Sequence, residues 1–226
     1  MYWLTQDLIF PPVEEAEDWG GLALGGDLSV ERLILAYCSG IFPWYEEGQP
    51  IIWHAPDPRF VLIPHKLKIA KSMRPVLNQQ RFTITYDRDF EGVMRHCQQR
   101  KRKGQQGTWI TENMIAAYTR LHRLGFAHSV EARQDDQLVG GLYGIAIGSV
   151  FFGESMFSYV SNASKAAFIT LVQELQSLGF TLIDCQVHTH HLESLGAEDI
   201  PRQNYMQLLE EGLRKNIEGP ASWHRT

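Results

Sequence analysis

The chain has 226 residues, of which 44% are hydrophobic and 21% charged, so it can bury a substantial core and does not have the composition of a disordered protein. Its three cysteines, Cys38, Cys97 and Cys185, are widely separated, which excludes a disulfide framework and a CxxC zinc ribbon and favours a reducing compartment. The net charge of -5 is uneven, because residues 66–103 sum to +8 and the remainder to -13.

Residues 1 to about 61 are rich in Gly and Pro and predict a small N-terminal α/β domain. They contain one clear helix, for which Ser29 is a typical N-cap and Gly40 a typical stop. A strand from Phe60 to Pro64 would leave this domain. The predicted boundary therefore divides residues 1–61 from residues 62–226.

A basic region follows. A helix around Lys66 to Leu77 would place Lys68 and Lys71 near one another at i, i+3. A second helix begins near Asp87 or Asp89, and the segment 100–104 is predicted to be an exposed basic loop. This region indicates a polyanionic partner, although a solvated face with a flexible loop would give the same pattern, and charge alone does not separate the two.

The remaining elements give the clearest architecture. A helix from Thr111 or Asn113 to Gly125 precedes strands at 127–133, 137–147 and 150–157. A helix over 163–178, capped by Asn162, then leads to a strand at 181–187. An antiparallel meander followed by a helix and another strand is an α+β arrangement, and it is the order of elements in the acetyltransferase superfamily (GNAT) fold.

Two segments resemble targeting or membrane signals in position or composition. Residues 1–12 lack a basic segment followed by a long apolar run, so we expect no signal peptide, a mature chain that begins here and a cytoplasmic location. Residues 138–157 carry one charge and a G-x-x-x-G spacing, as membrane helices do. Their five glycines favour two strands that meet near Gly148, so we expect no membrane partner.

Two polar residues share one face of the otherwise apolar strand at 181–187. Strand alternation places Asp184 and Gln186 on one side and Cys185 on the other. A half-exposed strand with both residues in water is the alternative. Glu154 is a second signal, because a carboxylate in a Gly-rich apolar strand region needs a partner from protein or substrate.

The absence of a Gly-rich loop limits which acyl donors the protein can use. An acetyl-CoA enzyme needs a Gly-rich loop before the helix at 163, where backbone N–H groups hold the pyrophosphate. Residues 157–165 contain no glycine, so the usual CoA site is absent and we expect no cofactor. An acyltransferase fold with a basic region instead predicts a donor attached to nucleic acid, which is an aminoacyl-tRNA.

A series of short motifs, in order along the chain, resembles those of one known protein family. The motifs are Gly25-Gly26-Asp27-Leu28, Gly40-Ile41-Phe42-Pro43-Trp44, Pro56-Asp57-Pro58-Arg59, Gly107-Thr108-Trp109-Ile110, Ala127-His128-Ser129-Val130-Glu131, Gly140-Gly141-Leu142-Tyr143-Gly144, Phe152-Gly153-Glu154-Ser155-Met156-Phe157, Asn162-Ala163-Ser164-Lys165 and Ile183-Asp184-Cys185-Gln186. The chain resembles the leucyl/phenylalanyl-tRNA-protein transferases over residues 10–205. The resemblance implies transfer of Leu or Phe, and Met less readily, from tRNA to proteins with N-terminal Arg or Lys, which marks them for degradation.

The resemblance also implies roles for residues. Asp184, Gln186 and Glu154 match the catalytic group, and Trp44 and Trp109 match tryptophans near the tRNA 3′ adenosine. The substrate side-chain pocket is expected at Leu142, Phe151, Gly153, Met156, Phe168, Leu171 and Ile183. Leu142 and Leu171 vary among relatives, which leaves pocket size open. The basic region predicts tRNA backbone contacts at Lys68, Lys71, Arg74, Arg81, Arg100, Lys101, Arg102 and Lys103.

The roles of the three catalytic residues suggest how the amine of the acceptor attacks the aminoacyl ester. An amide oxygen is too weakly basic to be a true base, so Gln186 would orient the attacking amine, with its own amide held by Asp184. The proton would leave through Asp184, water or the vicinal ribose hydroxyl. Glu154 would hold the ammonium or the cationic side chain of the acceptor.

A metal site, a cysteine nucleophile and two other functions are the alternatives. His188 and His190 could ligate zinc, but no third ligand appears at a motif spacing, so we predict no metal. Cys185 points away from Asp184 and is not expected to be a nucleophile. A transferase that extends cell-wall peptides and a non-catalytic RNA-binding module remain the rival functions. We expect a monomer.

Overall fold

The computed structural model describes residues 1–99, 109–217, 219–220 and 223 of the chain. The strands are β1 Tyr2–Leu4, β2 Gly21–Gly25, β3 Phe42–Pro43, β4 Ile52–His54, β5 Arg59–Leu62, β6 Thr83–Tyr86, β7 Ala127–Gln134, β8 Gln137–Ile147, β9 Val150–Ser158, β10 Leu182–Gln186 and β11 Glu198–Ile200. The helices are α1 Val30–Cys38, α2 Met73–Asn78, α3 Phe90–Gln99, α4 Glu112–Arg123, α5 Ala163–Ser177, α6 His190–Glu193 and α7 Arg202–Leu213.

The strands form two sheets. The small sheet has the order β1-β2-β4-β3, and the large sheet has the order β11-β5-β10-β9-β8-β7-β6. Neighbours in the large sheet are antiparallel except β10 and β9, which are parallel and joined through α5. The α+β prediction is confirmed, and so are the meander, helix and strand predicted between residues 127 and 187.

The large sheet is buried on both sides, which accounts for its apolar strands. One cluster packs α5 and α2 against residues such as Val130, Phe151 and Ile183. A second cluster packs α3 and α4 against residues such as Tyr143 and Phe152 on the opposite side. Alternation along each strand decides which cluster a side chain enters.

The small sheet does not have a separate core. Leu22 and Trp53 from this sheet belong to the same buried cluster as Val93 and Tyr143 from the rest of the chain. The predicted boundary after residue 61 falls inside β5, which is part of the large sheet rather than a strand that leaves a small domain.

The prediction of one helix from about Lys66 to Leu77 is wrong. A 3₁₀ helix covers Pro64–Lys66, residues 67–70 are irregular, and α2 begins only at Met73. Pro75 explains the short helix, because proline is tolerated in a first turn but removes a hydrogen bond and clashes with the carbonyl four residues earlier inside a helix. Lys68 and Lys71 therefore do not share a helical face.

The N-cap predicted at Ser29 is confirmed, and of the two starts predicted for α4, Thr111 is the cap. The Ser29 hydroxyl accepts from the Arg32 N–H at 3.4 Å, and the Thr111 hydroxyl accepts from the Met114 N–H at 3.2 Å. The prediction for Asn162 is wrong, because this residue has a left-handed backbone with φ 71° and makes no side-chain cap. The Ser158 hydroxyl instead accepts from the N–H of Ser164, in the first turn of α5, at 3.2 Å.

The apolar segment from residue 138 to residue 157 forms the β8–β9 hairpin, as predicted. Within the described ranges, no helix is both long enough and apolar enough to cross a membrane.

Candidate active site

Two β-bulges position the predicted catalytic residues. In the pairing of β9 with β8, Ser155 lies opposite Tyr143 and Gly153 lies opposite Gly144. Glu154 is therefore an extra residue in β9. Opposite β5, the register passes from Asp184 to Gln186, and Gln186 has a positive φ of 64°. Bulges bend a strand locally and redirect side chains, and they are common next to active sites.

Glu154 is a buried carboxylate that is bound by neutral donors. The Tyr37 hydroxyl donates to its Oε1 at 2.8 Å and the Tyr118 hydroxyl donates to its Oε2 at 3.3 Å. The two tyrosine oxygens also lie in hydrogen-bond contact with each other, and since each phenol has one proton, Tyr118 shares its proton between Tyr37 and Glu154. Among the described residues, no cation makes an ion pair with Glu154. Burial, which raises the pKa of both phenols, keeps them protonated and able to donate.

The surroundings of Glu154 change its acidity. Burial is the largest cause, and together with the nearby charge of Asp184 it raises the pKa of Glu154 to about 7. The hydrogen bonds from Tyr37, Gln186 and Tyr118 act in the opposite direction, because they favour the ionised carboxylate. A carboxyl group with this pKa changes its charge near neutral pH.

Asp184 lies behind the cavity wall and is completely buried. Arg59 binds it through two hydrogen bonds, from Nε to Oδ1 at 2.9 Å and from Nη2 to Oδ2 at 2.7 Å. The Tyr205 hydroxyl also donates to Oδ2 at 2.9 Å. The guanidinium lies over the rings of Phe42 and Tyr205 at 4.7 and 4.6 Å. Both carboxylate oxygens are therefore occupied by protein donors.

Gln186 contacts Asp184 differently from the prediction. Its backbone N–H donates to Asp184 Oδ1 at 2.9 Å, while its side-chain Nε2 donates to Glu154 Oε1 at 2.7 Å. The expectation that Asp184 holds the side-chain amide is wrong. The bulge explains the difference, because it brings the backbone of Gln186 toward Asp184 and turns its side chain toward β9. A carboxylate oxygen only accepts, which fixes Nε2 as the atom on Glu154 and leaves Oε1 as the acceptor that the amide offers.

A cavity of about 360 Å³ opens beside these residues. Its wall includes Glu154 and Gln186 from the catalytic prediction, Leu142, Gly153, Met156, Phe168 and Ile183 from the pocket prediction, and both Trp44 and Trp109. Asp184 does not line it. A larger cleft of about 740 Å³ runs along α7 and contains none of the predicted site residues.

Two residues of the pocket prediction lie outside this cavity. Phe151 and Leu171 are fully buried in the cluster around α5, behind the residues that line the wall. Strand alternation accounts for Phe151, since it and Phe152 enter clusters on opposite sides of the sheet. Both residues can support the wall but cannot contact a ligand in the cavity.

His54 holds the backbone of the predicted adenosine site. Its Nε2–H donates to the Trp44 carbonyl at 2.9 Å, and its ring stacks on Phe42 with centroids 5.7 Å apart. Burial lowers the pKa of His54, so the neutral ring is favoured. Trp44 is half-buried and Trp109 is buried with one edge at the cavity.

A possible metal group lies near the cavity mouth. His188, His190 and Glu193 are exposed, and their ligand atoms lie within 4.8 Å of one another. The spacing in the sequence does not indicate Glu193 as a third ligand. The α6 helix brings the carboxylate of Glu193 next to the two histidines. Its carboxylate pairs with both imidazoles, at 3.4 Å to His188 and 3.2 Å to His190, which explains the cluster without an ion.

Cys185 lines the cavity together with Gln186, so its place on the other side of β10 does not by itself exclude it from the site, contrary to the prediction. It belongs to the apolar cluster around α5, and burial raises the pKa of its thiol. Raising the pKa removes the thiolate that a nucleophilic cysteine needs.

Four predicted phosphate contacts are described. Lys68, Lys71, Arg74 and Arg81 are exposed, and none of them makes an ion pair with another residue in the described part of the chain. Arg100, Lys101, Arg102 and Lys103 lie outside the described residues.

No site role is predicted from the sequence for Arg59, Tyr37, Tyr118 or Tyr205. The sequence did contain a signal for the tyrosines, because Tyr37 and Tyr118 occupy the inward faces of their helices and a buried phenol needs a hydrogen-bond partner. Arg59 follows a proline-rich segment and enters a buried strand, where a cation requires an anion.

Comparisons with solved structures give loose matches. The first is described as the structure of L-PGS from Bacillus licheniformis, at 14% identity and a TM-score of 0.39, covering 75% of this chain and 54% of that one. A GCN5-related N-acetyltransferase from Kribbella flavida matches at 13% identity and a TM-score of 0.35, covering 74% and 59%. At these TM-scores the two structures add nothing about function.

Sequence relatives are much closer. Two family models match, one for the leucyl/phenylalanyl-tRNA protein transferase over residues 61–210 and one for its N-terminal domain over residues 26–57. Proteins named leucyl/phenylalanyl-tRNA--protein transferase match from Flavobacterium johnsoniae, at 58% identity over 92% of this chain and 99% of that protein, and from Syntrophobacter fumaroxidans, at 54% over 97% and 94%. The chain belongs to the leucyl/phenylalanyl-tRNA-protein transferase family.

Proposed function

We propose that the protein transfers Leu or Phe, and Met less readily, from aminoacyl-tRNA to the α-amine of proteins with N-terminal Arg or Lys, which marks those proteins for degradation. Membership of the family supports the donor and the reaction. The observation that carries the proposal is the amide of Gln186, which Glu154 binds through Nε2 beside the cavity. This arrangement offers the amide oxygen of Gln186 to an incoming amine.

The reaction makes modest chemical demands. The aminoacyl ester is already activated, and a protein α-amine has a pKa of about 8, so aminolysis needs placement of the two reactants, loss of one ammonium proton and stabilisation of an oxyanion. Gln186 Oε1 accepts a hydrogen bond from the amine and directs its lone pair to the ester carbonyl. An amide oxygen is too weakly basic to remove the proton itself.

Glu154 is the group we propose for the proton. It lines the cavity, and its pKa of about 7 lies near that of the amine, as effective proton acceptors require. The ionised form also favours a cationic acceptor over a neutral one. Asp184 cannot take this part, because it is enclosed and bound by Arg59 and Tyr205. It positions the backbone of Gln186 instead.

The donor side chain fits the apolar part of the cavity. Leu142, Met156, Phe168 and Ile183 line it, and about 360 Å³ is enough space for a leucyl or phenylalanyl side chain with part of the adenosine. Trp44 and Trp109 supply aromatic surfaces on which an adenine can stack.

The exposed cations around α2 fit a tRNA backbone. Lys68, Lys71, Arg74 and Arg81 can contact phosphates with little sequence reading, so donor binding should weaken as salt increases. The assignment includes the segment from Arg100 to Lys103. We also propose that the protein is a cytoplasmic monomer that uses neither metal nor cofactor, with a small N-terminal unit over 1–61 that shares its core with a catalytic domain over 62–226.

A transfer assay tests the proposal. Leucyl-tRNA is incubated with peptides that begin with Arg, Lys or Gly, and product is expected with the first two alone. Equal transfer to the Gly peptide would instead indicate a transferase of the cell-wall peptide type, and tRNA binding without transfer would indicate an RNA-binding module. Normal turnover in both Gln186→Ala and Gln186→Glu would rule out the assigned role of Gln186.

A further inference from the structure

A second cavity, of about 380 Å³, lies beside the first on the small sheet. Its lining residues are mostly aromatic or polar: Trp19, Phe42, Trp44, Tyr45, Glu46, Gln49, Ile52, His54, Pro56 and Val187. Phe42, Trp44 and Val187 line both cavities, so the two are adjacent across the indole of Trp44. A ligand that enters the first cavity past Trp44 can extend into the second.

Trp19 supplies an open aromatic surface in this cavity. Its six-membered ring rests on Gly21, where a Cβ would lie only 2.0 Å from the ring. His54 meets the indole edge-on with centroids 5.4 Å apart. Although these contacts hold the ring, Trp19 remains 56% exposed. A fixed, exposed indole is a typical stacking surface for a nucleobase.

Glu46 and Gln49 give the rim a specific polar pattern. Gln49 Oε1 accepts from the backbone N–H of Glu46 at 3.3 Å, so the amide offers its Nε2 as a donor. The carboxylate of Glu46 is exposed beside it and accepts. Cytosine matches this pair, because its N4 amino group donates while N3 and O2 accept. A lysine or arginine side chain only donates and would leave the amide of Gln49 without a partner.

We propose that this second cavity binds the cytosine that precedes the terminal adenosine of the donor tRNA, with the base stacked on Trp19 and its Watson–Crick edge toward Glu46 and Gln49. The inference rests on the proposed aminoacyl-tRNA donor. It extends that donor site by one nucleotide, since tRNA ends in the single-stranded sequence cytidine, cytidine, adenosine. The acceptor's cationic side chain is the competing occupant.

Short donors of two lengths test the assignment. Transfer to an Arg-initiated peptide is measured with leucyl-adenosine and with leucyl-CCA trinucleotide. The measured quantity is the kcat/KM of the trinucleotide divided by that of leucyl-adenosine. The trinucleotide should be the better donor for the wild-type protein, and Trp19→Ala should lower the ratio about tenfold through lost stacking. Trp3→Ala is the matched control, because Trp3 is an exposed tryptophan of the same sheet that does not line the cavity.

A base substitution provides a second measurement that does not depend on Trp19. A leucyl-CUA trinucleotide presents a carbonyl in place of the N4 amino group, so the wild-type protein should prefer leucyl-CCA. Glu46→Ala, an exposed rim substitution, should abolish that preference.

Each contrary result has a distinct meaning. If Trp19→Ala leaves the ratio of the two donors unchanged, the subsite assignment is overturned while the proposed function stands. If Trp19→Ala raises the KM of the Arg peptide equally with both donors, the cavity binds the acceptor and the assignment is likewise overturned. If the wild-type protein transfers leucine from neither short donor nor leucyl-tRNA, the proposed function fails and the subsite fails with it.

Discussion

Glu154 and Asp184 are buried carboxylates on neighbouring strands, yet their partners differ. Asp184 is paired with the guanidinium of Arg59, whereas Glu154 receives hydrogen bonds from two phenols and one amide. An opposite charge offsets the cost of burying Asp184, and neutral donors offset only part of that cost for Glu154. The comparison separates a carboxylate that holds the structure from one whose charge can change near neutral pH.

Removing the cation from the first carboxylate should have the largest effect. Arg59→Met leaves Asp184 buried without an opposite charge, so the free energy of unfolding should fall by about 3–5 kcal/mol. Denaturant unfolding measures this loss. The matched control is Arg214→Met, which breaks an exposed pair with Glu210 and should cost no more than about 1 kcal/mol. Similar losses in the two variants would show that burial does not distinguish the pairs.

The second carboxylate should make stability depend on pH. The pKa of Glu154 in the folded protein is about 7, above its usual 4.5, so between these values the folded state keeps a proton that the unfolded state has lost. Stability should therefore fall as pH rises through this window and level off above it. Relative to Glu154→Gln, the wild-type protein should lose about 3 kcal/mol, as measured by unfolding from pH 4 to 8. Parallel profiles would contradict the raised pKa.

The ionisation of Glu154 should also determine how kcat depends on pH. If ionised Glu154 orients Gln186 and takes the proton, kcat should rise with pH up to about 7 and then level off. Glu154→Gln should lower kcat roughly a hundredfold and move the midpoint of the profile to the pKa of the acceptor amine, about 8. Single-turnover rates with bound leucyl-tRNA measure the chemical step. A variant that keeps the wild-type pH profile would assign the ionisation to another group.

The tyrosines should produce the smallest effect. Each hydroxyl stabilises the ionised carboxylate, and the contribution of Tyr37 exceeds that of Tyr118. Tyr37→Phe should therefore move the midpoint of the kcat profile to higher pH, and Tyr118→Phe should move it less. The comparison fails if both midpoints stay at the wild-type value or if Tyr118→Phe causes the greater shift.

Local sequence signals predicted much of the fold. The meander, α5 and β10 follow from alternation and stop signals, and residue type predicts Ser29 as a cap and Thr111 as one of two candidates for the start of α4. Helical periodicity predicts a longer helix than α2, because periodicity does not include the effect of Pro75 on the preceding turn. The 3₁₀ turn and the left-handed Asn162 depend on how the chain enters α2 and α5, which periodicity does not describe.

The sequence by itself determined that Asp184 and Gln186 share a side of β10, that Glu154 needs a partner and that no glycine-rich CoA loop precedes α5. Only the tertiary structure decided which donor binds which carboxylate. Arg59 lies 125 residues from Asp184, and Tyr37 lies 117 residues from Glu154. Such contacts depend on strand register, and the two bulges shift that register by one residue, which turns Gln186 from Asp184 to Glu154.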